Sequence, residues 1–172
     1  MGFMVALSKA HPEWQFVVAG VSWLSGELYE EFTAGSDVKV LTDKTYGLLK
    51  YADAAVVCSG TATLETALIG TPEVVCYRMD EFSYRVARAF VKIGFISLVN
   101  IIMKREVVKE LIQHDMTVEN AAAELRAIMK GGEKYGKMMS DYAELQAVVG
   151  GKGASDRFAA RMVELLKSEI KR

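Results

Sequence analysis

The stretch AAVVCSGTATLETALIGTPEVVCY, residues 54–77, decides how this chain folds. It opens with five small or apolar residues, Ala54 to Cys58, which suit a strand buried on both faces. Ser59-Gly60-Thr61-Ala62-Thr63 then interrupts the run with hydroxyls and a glycine. A helix pattern follows over Ala62 to Ile69, Gly70-Thr71-Pro72 ends it, and a second apolar run covers Val74 to Tyr77. Strand, turn, helix, turn, strand is the unit of a parallel sheet, because parallel strands need a long crossover and a helix supplies it.

The same alternation continues outward in both directions. Met1 to Ala10 reads as a helix broken by His11-Pro12, and Trp14 to Ala19 as a strand closed by Gly20. A helix runs from Ser25 or Gly26 to about Phe32, a strand over Val38 to Leu41, and a helix near Lys44 to Lys50. On the other side, Phe82 to Lys92 reads as a helix with Phe82, Val86, Ala89, Phe90 and Ile93 along one side. Residues 95–103 read as extended or irregular. Helices are expected at about 106–112, 117–130, 133–148 and 154–170, which makes the tail after 103 wholly helical. The fold class is α/β: a Rossmann-like parallel sheet with helices on both faces over residues 1–150, then a C-terminal helix within 151–172. A doubly wound domain normally opens with a strand. This sequence opens inside a helix, so its first strand and an N-terminal partner domain are expected outside this polypeptide.

Composition narrows the function classes. A net charge of −1 with 25% charged residues gives no reason to expect nucleic acid as a partner. The longest apolar run, Ile93 to Met103, contains Asn100 and falls short of the ~20 residues that span a bilayer. Met1 to Leu7 lacks the basic start and small-residue cleavage site of a signal peptide, which points to the cytoplasm. Cys58 and Cys76 each end a strand-like run and read as buried, reduced thiols. No metal site is expected, since the histidines, His11 and His114, are isolated and read as surface residues.

Ligands of an open parallel sheet bind beyond the carboxyl ends of its strands. The 59–63 turn occupies such a place. A helix start offers unpaired N–H groups and the positive end of a dipole, Gly60 allows close approach, and Ser59, Thr61 and Thr63 add hydroxyls. These suit a phosphate or diphosphate. Glu65, one turn into the helix, can accept hydrogen bonds from ribose hydroxyls. The same residues also serve as an ordinary helix cap and hinge, and residue types alone favour that reading. The stretch is neither a Walker A loop nor a GxGxxG fingerprint. Glu73 follows Pro72 at a strand start and reads as solvent-facing.

Together, SGTATLETALIGTPEVVCYR and the later ISLVNIIMKREVVKELIQ resemble lipid-A-disaccharide synthase, a glycosyltransferase of two Rossmann-like domains in the GT-B arrangement. The resemblance runs from about Trp14 to the last helix and is strongest over residues 53–113. It implies transfer of 2,3-diacylglucosamine from its UDP derivative to 2,3-diacylglucosamine 1-phosphate, with inversion, in lipid A biosynthesis. It further implies that Ser59, Gly60, Thr61, Ala62 and Thr63 meet the diphosphate, that Glu65 lies near the ribose, and that Asn100 lies by the cleft with UDP. Arg105, Glu106, Glu110 and Gln113 match the segment that follows. Val99 departs from the family, which usually has proline there. The general base and the acceptor site are expected in the N-terminal domain, so this chain alone should be inactive. No cofactor is implied; the UDP-sugar is the donor substrate.

Seven basic residues against three acids between Arg78 and Lys109, with Arg85, Arg88 and Lys92 on one helix face, read either as a solvated face or as a contact for anionic lipid. With acylated substrates, a peripheral place on the cytoplasmic face of the inner membrane follows from the second. The last helix carries Phe158, Met162, Leu165, Leu166 and Ile170 on one stripe, a candidate homodimer contact. Two further functions remain open at this level: another UDP-sugar enzyme of GT-B type, and a non-catalytic nucleotide-sugar-binding or assembly module.

Overall fold

A computed structural model describes residues 2–58, 60–80, 94–150 and 153–170. In chain order these form α1 (Gly2–Ala10), β1 (Val17–Gly20), α2 (Gly26–Thr33), β2 (Lys39–Thr42), α3 (Thr45–Tyr51), β3 (Ala55–Val57), α4 (Thr61–Ile69), β4 (Glu73–Tyr77), α5 (Leu98–Met103), β5 (Lys109–Ile112), a 3-10 turn (Gln113–Asp115), α6 (Val118–Ile128), α7 (Tyr135–Val149) and α8 (Ala154–Ile170). The expected helix over Phe82 to Lys92, with its basic face, lies outside the described residues.

All the strand pairs are parallel, as the alternation requires, but they fall into two sheets. β1 pairs with β2, Val17 opposite Lys39 and Gly20 opposite Thr42. β4 lies between β3 and β5, with Val57 opposite Val75 and Val75 opposite Glu110. Helices cover both faces: α4 packs on β3 and β4 from one side, α6 on β4 and β5 from the other. That is why Glu73 to Cys76 of β4 are buried without alternation. One core joins both sheets; Phe16 and Val38 belong to it together with Val74, Val75, Leu111, Leu125 and Leu145.

Two expectations fail in the segment after residue 94. Residues 98–103, expected to be irregular, are the helix α5, whose N-cap is Ser97: its hydroxyl accepts the Asn100 N–H at 3.3 Å. Residues 109–112, expected to be helical, are the strand β5. Val107, Val108, Leu111 and Ile112 fit either period in so short a run, and pairing beside β4 decides it. The tail after 103 is therefore not all helical.

Candidate functional site

The β3–α4 turn sits at the carboxyl end of β3. Gly60 adopts φ 127° and ψ −159°, a conformation open to glycine and strained for other residues, and it caps α4. No side chain among the described residues caps this helix start. Thr61, Ala62 and Glu65 are exposed there. Thr63 is fully buried and its hydroxyl donates to the Gly60 carbonyl at 2.8 Å, so it braces the turn from within. Ser59 lies outside the described residues. Gly70, in the left-handed region, closes α4 at its other end.

Asn100 and Glu110 meet behind α5. Asn100 is fully buried. Its Nδ2 donates to the Val108 carbonyl at 2.8 Å and to Glu110 Oε1 at 2.9 Å. Its Oδ1 accepts the N–H groups of Val107 at 2.7 Å and Val108 at 3.0 Å. Both amide hydrogens and both acceptor positions are thus filled by the protein itself. Glu110 also accepts the N–H groups of Ile96 and Ser97 and the Ser97 hydroxyl, at 2.9, 2.9 and 2.7 Å. The pair ties the start of α5 to β5.

Arg105 donates to Asp141 at 2.8 Å and to Glu144 at 2.7 and 3.1 Å, joining the end of α5 to α7. Burial alone would raise the Asp141 carboxyl, but hydrogen bonds from Lys137 and Arg105 hold it below its usual range. Hydrogen bonds from Arg105 likewise lower Glu144. Glu106 is exposed and pairs with Lys109. Gln113, at φ 52°, extends the β4–β5 seam past its last register pair: its side chain accepts the Met79 N–H at 2.8 Å and donates to the Met79 carbonyl at 3.1 Å. Arg78, at the end of β4, donates to the Gln113 carbonyl at 3.2 Å. Among the matched residues, Thr61, Ala62 and Glu65 are therefore exposed at the α4 start, Gly60 and Thr63 shape the turn, Asn100, Arg105, Glu110 and Gln113 brace the fold, and Glu106 is an exposed partner of Lys109.

Three readings of individual side chains are corrected. Glu73 does not face solvent. It is fully buried, both carboxylate oxygens lack a hydrogen-bond partner, and burial raises its pKa well above the ordinary value. Its neighbour on α7, Tyr142, is also buried with an unpartnered hydroxyl; burial first, and the Glu73 charge second, push that phenol up. Cys58 is exposed, whereas Cys76 is buried and its thiol is raised to about 12, by burial first and by Cys58 second. His11 is half-buried, its ring 4.8 Å from that of Trp14, over which Arg126 also lies at 5.1 Å. His114 is exposed. Among the described residues, no group of three or more His, Cys, Asp or Glu is placed to hold a metal ion.

The family model for lipid-A-disaccharide synthetase matches residues 3–159. The chain belongs to that family. Proteins named lipid-A-disaccharide synthase are similar to it in several bacteria. The one from Syntrophus aciditrophicus is 36% identical over 146 residues, 85% of this chain and 38% of that protein. The one from Myxococcus xanthus is 36% identical over 162 residues, 93% of this chain and 42% of that protein. The one from Geobacter sulfurreducens is 31% identical over 166 residues, 95% of this chain and 43% of that protein. The chain spans about two fifths of the length of the synthase relatives it matches. Within this family segment, sequence reasoning missed the buried Glu73–Tyr142 pair. Its only signal was a carboxylate inside an otherwise apolar strand run.

Proposed function

We propose that this chain is the UDP-sugar-binding half of a lipid-A-disaccharide synthase. The β3–α4 turn carries the reading: a helix start that no side chain among the described residues caps, at the carboxyl end of a parallel strand, with Gly60 leaving the backbone open and Glu65 exposed one turn along. The diphosphate would take the N–H groups at Thr61 and Ala62 with the Ser59 and Thr61 hydroxyls, and Glu65 would take the ribose. Asn100, Glu110, Arg105 and Gln113 would position rather than touch the nucleotide, because their polar groups already serve the fold.

The reaction would pass 2,3-diacylglucosamine from its UDP derivative to 2,3-diacylglucosamine 1-phosphate with inversion. Charge develops on the leaving diphosphate, and oriented N–H groups at a helix start stabilise it without reorganising. The general base and the acceptor site are assigned to the part of the full-length relatives that this chain does not cover. Catalysis needs both substrates held together, so the isolated chain should turn over nothing. No helix among the described residues is long and apolar enough to cross a membrane. Contact with the cytoplasmic face of the inner membrane would then be peripheral. The exposed stripe of Phe158, Met162 and Leu166 on α8 would serve a subunit or domain contact.

Calorimetric titration of the chain with UDP tests the reading. Saturable binding that Glu65→Ala weakens supports it. Binding that Glu65→Ala leaves unchanged places the nucleotide elsewhere, and no binding up to ~10 mM, beyond the ~4 kcal/mol of a millimolar complex, removes it.

A further inference from the structure

We propose that Cys58 and Cys76 are a thiol modification site, a pair on neighbouring parallel strands that a small disulfide of the glutathione type oxidises to an intramolecular disulfide. β3 and β4 run in the register that sets Ala55 opposite Glu73, Val56 opposite Val74 and Val57 opposite Val75. One residue further along both chains, the same register sets Cys58 opposite Cys76. Opposed residues of a parallel pair turn their side chains to one face, and their backbones lie ~4.8 Å apart. That spacing falls within the range of about 4.4–6.8 Å that a disulfide needs between Cα atoms. The two thiols also sense one another, since Cys58 opposes the ionisation of Cys76. The Cβ atoms must close to about 3.5–4.5 Å, which asks for a local movement. Cys76 is the fixed member, in a strand paired on both sides. Cys58 is the free one: β3 ends at Val57, and the backbone turns through Gly60 two residues later.

The contrast in burial orders the chemistry. Cys58 is exposed and meets the reagent; Cys76 is buried and does not. The Cys58 thiolate attacks one sulfur of the reagent, the reagent's S–S bond breaks, and one thiolate leaves and takes up a proton. Cys58 is then held in a mixed disulfide. Cys76 gives up its proton and attacks the Cys58 sulfur, which expels the second reagent thiolate. Two protein thiols are oxidised and one reagent disulfide is reduced to two thiols. The second step is intramolecular, and the register holds the two sulfurs side by side for it. A bond that must draw two strands together carries strain, and strained, accessible disulfides are the easily reduced ones. The bond would clamp the end of β3 to β4 two residues ahead of Gly60. This inference does not depend on nucleotide binding.

The test incubates the folded, reduced chain with glutathione disulfide and follows its intact mass. The expected course is a transient glutathione adduct, then a monomer lighter than the reduced chain by two hydrogen atoms. Cleavage after Glu65 or Glu73 separates the two cysteines in sequence, so peptides still joined after it locate the bond. Reduced glutathione should reopen the bond without denaturant. Cys76→Ala should stop at the adduct, and Cys58→Ser should react about a hundredfold more slowly than the parent. The proposal is overturned if the parent also stops at the adduct, or if Cys58→Ser is oxidised as fast as the parent. It is equally overturned if the disulfide forms only between chains, with a yield that rises with protein concentration. The parent's mass and peptide map decide the matter alone if Cys76→Ala does not fold.

Discussion

Replacing Asn100 by alanine separates a residue that builds the site from one that touches the ligand. The variant removes an amide that serves the N–H groups of Val107 and Val108 and the Val108 carbonyl, all in buried residues. Each buried main-chain group left without a partner costs about 1–3 kcal/mol, so three give a loss of at least ~3 kcal/mol. Against a typical total of about 5–15 kcal/mol this is a large fraction, and the variant should remain folded but weakened. With a urea dependence of about 1–3 kcal/mol per molar, the unfolding midpoint should drop by roughly 1–3 M. Asn100→Asp keeps the two acceptor positions but cannot donate to the Val108 carbonyl, and it sets a second carboxylate against Glu110. It should be destabilised as well. UDP titration is run beside the denaturation on the same samples. An Asn100→Ala chain whose midpoint stays within about 0.3 M of the parent while UDP binding disappears would refute the reasoning. It would show that the amide serves the ligand and that the bracket is not what holds α5 to β5.

Glu65→Ala should leave the urea midpoint unchanged, because the side chain is exposed, and should weaken UDP by about ten- to a hundred-fold, the worth of a charged hydrogen bond, while leaving uracil unaffected. Equal loss for both ligands would remove the ribose assignment. Arg105→Ala should cost about 1 kcal/mol or less, since the side chain is 37% exposed and Lys137 still holds Asp141, and the loss should shrink in 1 M salt. A salt-independent loss of several kcal/mol would contradict a partly solvated ion pair. Glu73→Gln should raise the melting temperature at pH 8 and flatten the pH dependence. The folded-state pKa of Glu73 is raised, so its contribution is fully present below the unfolded carboxyl value and is lost as pH climbs toward the folded one, by at most about 1.4 kcal/mol per pH unit. Melting curves of the parent that stay flat or rise from pH 5 to 8 would sink this.

The sequence was readable where one pattern had one solution. Ala54 to Tyr77 carries strand, glycine turn, helix and strand in an order that only a parallel sheet accommodates, and those elements stand within a residue or two of expectation. It was unreadable where a short run fitted two periods. Val107 to Ile112 supports a helix face and a strand equally, and what decides is β4 lying alongside, which is tertiary information. Glu73 was misplaced for a related reason. A carboxylate after proline at a strand start is normally solvated, and only the packing of α4 on β4, with Tyr142 of α7 beside Glu73, buries it. The site divides in the same way. Gly60 announces its turn, because the φ of 127° it adopts is strained for other residues. The Asn100–Glu110 bracket joins residues ten apart across the end of a helix and a return loop, and neither side chain signals the other in sequence. Polar residues near a cleft are therefore ambiguous in sequence between binding and bracing, and the deciding observable is the count of their hydrogen-bond positions already filled. Asn100 has none to spare, whereas Glu65 is exposed at a helix start that no side chain among the described residues caps; that contrast is why a bound nucleotide should feel Glu65 directly and Asn100 only through the stability of α5.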